Sequence, residues 1–386
     1  MSKTTSTPWL IPLAERKKVM DLALSEHKKL ALLLYPSPDG STFRYRGYNL
    51  YKACLDSKDW QLIYFFNNEI AELEKALPFA DILILCRQIK WSATFDNLAN
   101  TAHHYGAPVL MDVDDCICGL NNIREMINTV ALDEVDQEYW IKACANCEMI
   151  SQSVDGFITT NDYLGKLLSE THNNKPFYTI PNTLNDEQIQ FSEALVEQKK
   201  DHSDYCTLGY FSGSHTHAAD FDVVYQELLD LLLNNPNIRL EIVGMMSLPN
   251  AMEQLIKTGQ VIRKPLVDFL TLQRYISEVD INLVPLVNNT FTNCKSELKF
   301  FESAIVDVPT IASPFYTYAT SITDKETGFL CGPGEWTDAI LKLSEDSKLR
   351  KQIATNAKKY CLEHYSPKAC QKITEEVFGH ILKDLA

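Results

Sequence analysis

The chain contains 386 residues with a formal net charge of −15, and 45% of the residues are hydrophobic and 23% charged. This length exceeds one ordinary hydrophobic core and predicts two domains. The acidic balance argues against a general nucleic-acid binder, which usually presents a basic face. The composition is that of a globular protein and excludes a low-complexity or disordered chain.

The cysteines and the N-terminus indicate a cellular compartment. There are 11 cysteines, and Cys144 and Cys147 form a lone CxxC pair that we interpret as buried thiols. Met1–Arg16 has no basic segment followed by an apolar run, so no signal peptide is expected. The longest apolar runs, such as Leu30–Tyr35, have the length of a strand rather than of a membrane span. Free thiols without a signal peptide favour the cytoplasm.

Apolar runs of strand length alternate with helix-length segments in the first half of the chain. Two predicted helices are Ser92–His104 and Glu134–Ile150. Runs that are apolar throughout suit strands buried on both faces, and the alternation predicts βαβ units around a parallel sheet. The predicted strands are Leu30–Tyr35, Gln61–Phe66, Asp81–Cys86, Pro108–Val113, Gly156–Thr160 and Phe177–Ile180.

A second alternating set follows a polar, charged segment at about 185–205, which we interpret as an interdomain connection. Its predicted strands are Thr207–Phe211, Arg239–Val243, Asp280–Pro285, Thr310–Ala312 and Gly328–Cys331. Its predicted helices are Phe221–Leu233, Ala251–Thr258, Leu266–Ser277, Lys295–Val306, Trp336–Glu345, Lys348–Glu363 and Lys368–Leu385. Because open α/β sheets bind ligands at the carboxyl ends of their strands, two such halves predict a ligand cleft between them.

Within the predicted helix Lys295–Val306, three charged residues fall on one face. At 100° per residue, Lys295, Lys299 and Glu302 form a narrow stripe, beside an apolar stripe that can pack on a sheet. With Asn293 as the N-cap, the helix start would present the backbone N–H groups of Lys295 and Ser296. Lysines at a helix start suit a diphosphate, and a carboxylate two turns on suits a ribose diol. The helix taken alone equally fits a solvated surface element.

Several ordered motifs resemble family 4 glycosyltransferases of the GT-B fold, in a subgroup acting on bacterial surface polysaccharides. In the second half, the helix bearing Glu302 leads into Val308–Pro314 and then into Glu326–Leu330, and Gly209–His217 is similar to the opening strand and loop of that domain. Further motifs are Asp112–Asp115 and Ile180–Asn182 in the first half, and Trp336 and Tyr365–Ser366 near the end of the chain. Together they cover the chain from about Tyr35 onward.

The resemblance implies an architecture and an activity. It implies two Rossmann-like parallel-sheet domains facing a central cleft: an acceptor domain at 1–190, a nucleotide-sugar domain at 206–365, and a crossover helix at 366–386 that packs back toward the first domain. The activity would be retaining transfer of a sugar, of the hexosyltransferase type, from a UDP-, GDP- or dTDP-linked donor to a glycan or lipid-linked acceptor. The pathway would be lipopolysaccharide O-antigen or capsule synthesis.

The resemblance also assigns donor residues. Glu302 matches the second glutamate of the E-x7-E motif, which contacts the donor ribose, but the first glutamate is replaced by Cys294. An arginine and a lysine that often follow the first strand of this domain are absent from the loop Ser212–His217. We therefore predict Lys295 as the phosphate ligand and, with Glu302, as catalytic. The other donor contacts would come from Gly213, Ser214, His215, Ser296 and Lys299.

The acceptor side is predicted in the first domain. Arg44 and Arg46 can reach an anionic group, and Gly40 and Ser41 lie in the same loop after the first strand. Asp114, Asp115 and Thr160 follow other strands and are further cleft candidates. A surface loop and structural caps are the alternatives for these residues.

No metal or other cofactor is expected, because GT-B enzymes generally lack a bound divalent cation and Asp112–Asp114 ends a strand instead of forming the metal motif of another fold. A lipid-linked acceptor would place the enzyme at the inner face of the cell membrane, so peripheral contact stays open. The alternatives are a non-catalytic nucleotide-sugar-binding protein, which the loss of the first glutamate favours, and a sugar-nucleotide epimerase. No G-x-G-x-x-G follows a strand to support a nicotinamide oxidoreductase.

Overall fold

The computed structural model describes residues 5–88, 90–130, 134–198, 205–213, 218–246 and 248–385. Two parallel sheets organise this part of the chain. The first contains β1 (Lys29–Tyr35), β2 (Trp60–Phe66), β3 (Ile82–Cys86), β4 (Val109–Val113), β5 (Gly156–Thr159) and β6 (Phe177–Thr179). The second contains β7 (Cys206–Ser212), β8 (Ile238–Gly244), β9 (Val261–Lys264), β10 (Ile281–Val284), β11 (Thr310–Ala312) and β12 (Phe329–Leu330).

Helices flank both sheets. Those of the first half are α1 (Leu13–Ser25), α2 (Asn49–Cys54), α3 (Ile70–Ala76), α4 (Ala93–His104), α5 (Leu120–Val130), α6 (Glu134–Ser151), α7 (Asp162–Thr171) and α8 (Asp186–Gln198). The second half has α9 (Ala218–Asn234), α10 (Glu253–Lys257), α11 (Phe269–Ser277), α12 (Thr290–Asn293), α13 (Leu298–Ala304), α14 (Tyr316–Ser321), α15 (Trp336–Glu345), α16 (Ser347–Tyr365) and α17 (Pro367–Leu385). Within the described residues, no helix combines the length and hydrophobicity that crossing a bilayer requires.

The strand order confirms the predicted architecture. The first sheet runs β2-β1-β3-β4-β5-β6 and the second β12-β11-β10-β7-β8-β9, with all neighbours parallel. Strands such as Trp60–Phe66 and Ile82–Cys86 are buried along their whole length, because helices cover both faces. The strand order reverses between β1 and β3 and between β7 and β10, and these reversals are where such sheets bind ligands.

The last helix returns to the first half, as predicted. Phe378 of α17 lies in the first core, and its ring centroid is 5.0 Å from that of Trp60. The chain therefore crosses between the halves twice, near Leu184 and near Ser366. The two crossings lie side by side, since the backbone N–H of Leu184 donates to the carbonyl of Tyr365 over 2.8 Å.

Several local expectations differ from the structure. The strand Val261–Lys264 was not predicted, because it is a short edge strand whose sequence is half charged rather than an apolar run. The predicted connection at 185–205 contains the helix Asp186–Gln198, which packs on α11 of the second half through residues such as Leu195 and Val196. This helix spans the boundary predicted at residue 190, so the domain limits stay predictions.

The predicted loop Pro38–Gly47 is largely helical. A carboxylate oxygen of Asp39 accepts hydrogen bonds from the backbone N–H groups of Ser41 and Phe43, each over 3.0 Å, and starts the turn. Arg44–Tyr48 forms a buried π-helix that continues into α2. Gly47 is required there, because a Cβ at this position would lie 2.3 Å from the Phe43 ring. Arg44, Tyr45 and Arg46 thus project from a packed helical turn rather than from a surface loop.

Candidate active site between the two sheets

A cleft of about 720 Å³ lies between the carboxyl ends of the two sheets. The first half contributes the segment after β1 together with Arg87 and Asp114, which follow β3 and β4. The second half contributes Ser212 and Gly213 at the end of β7 and the segment 295–302 after β10. The cleft therefore joins the strand-order reversals of both sheets.

Two lysines supply positive charge to the second half of this cleft. Lys299 Nζ lies 5.7 Å from the centroid of the Tyr210 ring and forms no ion pair among the described residues. Burial lowers the pKa of Lys299 to about 8, with Lys295 adding to this and the carboxylates of Asp220 and Glu302 opposing it. Lys295 Nζ lies 3.9 Å from a carboxylate oxygen of Asp115 and 4.2 Å from the Phe291 ring centroid. An anion entering here would meet two ammonium groups on the same wall of the cleft.

The predicted helix Lys295–Val306 is wrong at its start. The chain instead forms α12, capped by Asn289, and then α13 from Leu298. The carbonyl of Lys295 is held by Asn161 Nδ2 over 3.2 Å and by Thr317 Oγ1 over 2.9 Å, which keeps this segment out of the helix. Asn293 is therefore not an N-cap, and the backbone N–H of Lys295 already donates to Thr292. The positive charge comes from side chains rather than from a helix start.

Glu302 lies on α13, lines the cleft and is bound by the first half. Its Oε1 accepts a hydrogen bond from the Tyr45 hydroxyl and lies 3.4 Å from Nη2 of Arg44. Arg44 is fixed in turn by Gln188 Oε1 over 3.0 Å and by the carbonyl of Gly40 over 3.1 Å. The residue predicted for the donor ribose is thus supported by a side chain predicted for the acceptor.

Arg46 does not line the cleft, in contrast to the prediction. It is completely buried, and its guanidinium donates to both carboxylate oxygens of Asp112 over 2.8 and 2.9 Å and to the carbonyl of Ile180 over 2.6 Å. Burial alone would lower the pKa of Arg46, but the charge and the hydrogen bonds of Asp112, with smaller contributions from Cys86 and Asp114, together raise it. From the π-helix, this side chain therefore bridges β4 and the residue that follows β6.

The first half presents an ion pair that the sequence did not single out. Arg87 follows β3, and its Nη1 lies 2.7 and 2.8 Å from the two oxygens of Asp114. Thr42 donates to the same carboxylate over 2.9 Å, and the pair lines the cleft beside Gly40 and Ser41. Its position directly after a buried strand was the available signal for Arg87.

The remaining predicted residues are placed as follows. Asp115 lines the cleft, and burial raises the pKa of its carboxyl although Lys295 and Arg87 lower it. Ser296 also lines the cleft, 3.4 Å from Glu297. Thr160 is buried and does not line the cleft, and within the described part of the chain its hydroxyl has no hydrogen-bond partner. Ser214 and His215 lie outside the described residues.

Cys294, which replaces the expected glutamate, points away from the cleft. It is fully buried, and its thiol and that of Cys118 are hydrogen bonded to the sulfur of Cys116 from the first half. Among the described residues, no three His, Cys, Asp or Glu side chains are arranged to hold a metal ion. Transfer without a metal stays a prediction.

Comparisons with known proteins agree with this fold. Residues 206–346 match the model of the family described as Glycosyl transferases group 1. HepE of Anabaena in complex with UDP-glucose superposes with a TM-score of 0.56 at 14% identity, covering 91% of this chain and 99% of that one. Sucrose-phosphate synthase of Thermosynechococcus elongatus gives 0.60 at 14% identity, covering 92% of this chain and 100% of that one.

A glycosyltransferase of Rickettsia africae gives a TM-score of 0.58 at 15% identity, covering 92% of this chain and 99% of that one. No curated protein has a significant sequence match. The two parallel sheets, their opposed reversals and these superpositions define a protein of the GT-B fold. Its second half is similar in sequence to the group 1 glycosyl transferases.

Proposed function

We propose that this protein is a glycosyltransferase that uses a nucleotide sugar. The observation that carries the proposal is the placement of Lys295, Lys299 and Glu302 on one wall of the cleft between the two sheets. The wall combines cations for a diphosphate with a carboxylate for a ribose diol. The match of residues 206–346 to group 1 glycosyl transferases supports the same reading.

The reaction would break the bond between the anomeric carbon and a phosphate oxygen and join that carbon to an acceptor oxygen. The acceptor proton would leave with the nucleoside diphosphate or be taken up by water. Negative charge develops on the departing diphosphate, and Lys295 and Lys299 would stabilise it electrostatically. We propose retention of anomeric configuration, on the sequence resemblance described above.

The acceptor would bind on the first-half wall. Arg87, paired with Asp114, and the hydroxyl groups of Ser41 and Thr42 provide donors and acceptors for sugar hydroxyls there. The proposed acceptor is a glycan or a lipid-linked glycan in lipopolysaccharide O-antigen or capsule synthesis. HepE and the pneumococcal transferase GtfA, whose structures contain UDP with a sugar, support a nucleotide-sugar donor.

A panel of nucleotide sugars tests the proposal. Thermal unfolding would be followed with UDP-, GDP- and dTDP-linked sugars, and release of nucleoside diphosphate would be measured with and without glycan acceptors. We expect one base to raise the melting temperature and one acceptor to increase product release. If no nucleotide sugar stabilises the protein, the proposal is contradicted. Stabilisation without turnover would favour a non-catalytic binder, an alternative that also fits the replacement of the first motif glutamate by Cys294.

The low pKa of Lys299 predicts a pH dependence of nucleotide binding. The free protein loses this charge as the pH rises through about 8, whereas a bound diphosphate favours the charged form. Binding should therefore take up a proton, and the affinity for UDP or GDP should fall above this pH by up to ~10-fold per pH unit. Calorimetric titrations from pH 7 to pH 9.5, in two buffers of different ionisation enthalpy, would measure both effects.

Lys299→Arg provides the control, because arginine stays charged throughout this range. The nucleotide affinity of this variant should stay constant above the pH at which that of the wild type begins to fall. An identical bend in both proteins would assign the titration to another group and refute the role of Lys299.

A further inference from the structure

The carboxylate of Glu302 has one occupied and one open oxygen. The Tyr45 hydroxyl and Arg44 both contact Oε1, whereas Oε2 forms no hydrogen bond or ion pair with the described residues. The side chain nevertheless lines the cleft. The occupied oxygen is held entirely from the first half, although Glu302 belongs to the second.

We propose that Tyr45 is a positioning residue that fixes the Glu302 carboxylate and directs its second oxygen to the ribose hydroxyls of the donor. The inference rests on the proposed function and deepens it. It makes recognition of the sugar part of the nucleotide depend on a residue from the opposite domain, more than 250 positions away in the chain.

The surroundings of Tyr45 suit a fixed support rather than an adaptable contact. Its ring is 5% exposed and packs edge-on against Phe301, with ring centroids 6.1 Å apart. The guanidinium of Arg44 covers the ring 4.1 Å from its centroid. Burial raises the pKa of Tyr45 well above its usual value, although Arg44 opposes this, so the phenol keeps its proton and stays a donor.

A carboxylate that lost this donor would keep only the longer contact to Arg44. The side chain could then rotate, and its free oxygen would no longer be aimed at one place. Hydrogen bonds between ribose hydroxyls and a fixed carboxylate distinguish a ribonucleotide from its deoxy form, because the site is left unpaired when the hydroxyl is missing. Discrimination by ribose hydroxyl is therefore the property that Tyr45 should control.

The test compares Tyr45→Phe with the wild type. Dissociation constants would be measured for UDP and GDP and for their 2′-deoxy and 3′-deoxy forms. For the base that binds, the wild type is expected to prefer the ribonucleotide over at least one deoxy form by ~10-fold or more. In Tyr45→Phe this ratio should fall several-fold toward unity, while the deoxy form itself binds nearly as well as before.

Tyr48→Phe is the matched control, because Tyr48 lies in the same buried turn and its hydroxyl donates to Glu187 over 2.6 Å, away from the cleft. It should lose stability without losing discrimination. Glu302→Gln should lower the ratio by itself, and adding Tyr45→Phe to it should change the ratio no further. Arg44→Lys should partially lower the same ratio, and it replaces Tyr45→Phe in the test if that variant folds poorly.

Two results would overturn the inference in distinguishable ways. If Tyr45→Phe binds UDP or GDP with the discrimination of the wild type, Tyr45 does not position Glu302 for ribose, and the proposed function stands. If the wild type binds none of these six nucleotides and no dTDP-linked sugar raises its melting temperature, the proposed function fails and the inference fails with it.

Discussion

Lys295→Ala is expected to lower kcat roughly 100- to 1000-fold, the usual cost of removing one preorganised group that stabilises charge in a transition state. The Lys295 ammonium reaches into the cleft, and the only carboxylate in contact with it among the described residues is Asp115, 3.9 Å away. Its charge is therefore available to a departing diphosphate. Nucleoside diphosphate release under saturating donor, together with UDP and GDP affinity, would measure the effect.

Lys348→Ala is the control for this prediction, since Lys348 lies exposed on α16 in the same half and outside the cleft. It should leave turnover unchanged. Lys295→Arg keeps the charge and should retain more activity than the alanine variant. If Lys295→Ala bound and turned over the donor like the wild type, the phosphate role of Lys295 would be wrong.

Arg46→Met is expected to destabilise the protein by about 3–5 kcal/mol, because it leaves the buried carboxylate of Asp112 without its cation. Arg46 is 0% and Asp112 1% exposed, so water cannot replace the lost bonds. The variant should recover part of its stability as the pH falls and Asp112 takes up a proton. Urea unfolding at pH 7 and pH 5 would measure both free energies.

Two further variants test whether the loss of stability in Arg46→Met comes from the broken ion pair with Asp112. Arg46→Met/Asp112→Leu replaces the pair with apolar side chains and should be more stable than the single variant. Lys142→Met breaks an exposed pair with Glu138 and should have no measurable effect. Arg46 also donates to Asn182 Oδ1 over 3.3 Å, so a double variant as unstable as the single would place the loss in the contacts to Ile180 and Asn182 instead.

The alternating pattern of the sequence predicted the architecture well, because strands buried on both faces leave continuous apolar runs. Gln61–Phe66 and Thr310–Ala312, for example, lie within or match observed strands. Val261–Lys264 escaped this signal because an edge strand needs fewer apolar positions. The polar residues of 185–205 predict an interdomain connection but do not indicate its helix α8, because they mask the apolar residues that contact the second half.

The candidate site was predictable on one side only. Lys295, Lys299 and Glu302 are close in sequence, and the motifs that flank them predict a donor site. The structure places all three along the cleft, and their roles stay predictions. Tyr45 could not be found this way, because its contact with Glu302 depends on the packing of two domains. The prediction of Arg46 as a cleft residue is wrong, because a charged residue near glycines is typical of an exposed loop. Nothing in the local sequence indicates the buried π-helix.

The paired crossings of the chain determine how such a cleft can open. The segments at Leu184 and Tyr365 are hydrogen bonded to each other, so a rotation of one half against the other would turn about two linked segments rather than about one. Rotation about a hinge displaces each atom in proportion to its distance from the axis. Tyr45 and Phe301 belong to the same apolar cluster as these two residues. The hydrogen bond between Tyr45 and Glu302 therefore lies near the axis, where a rotation would displace atoms least. The largest displacement would occur at the far end of the cleft.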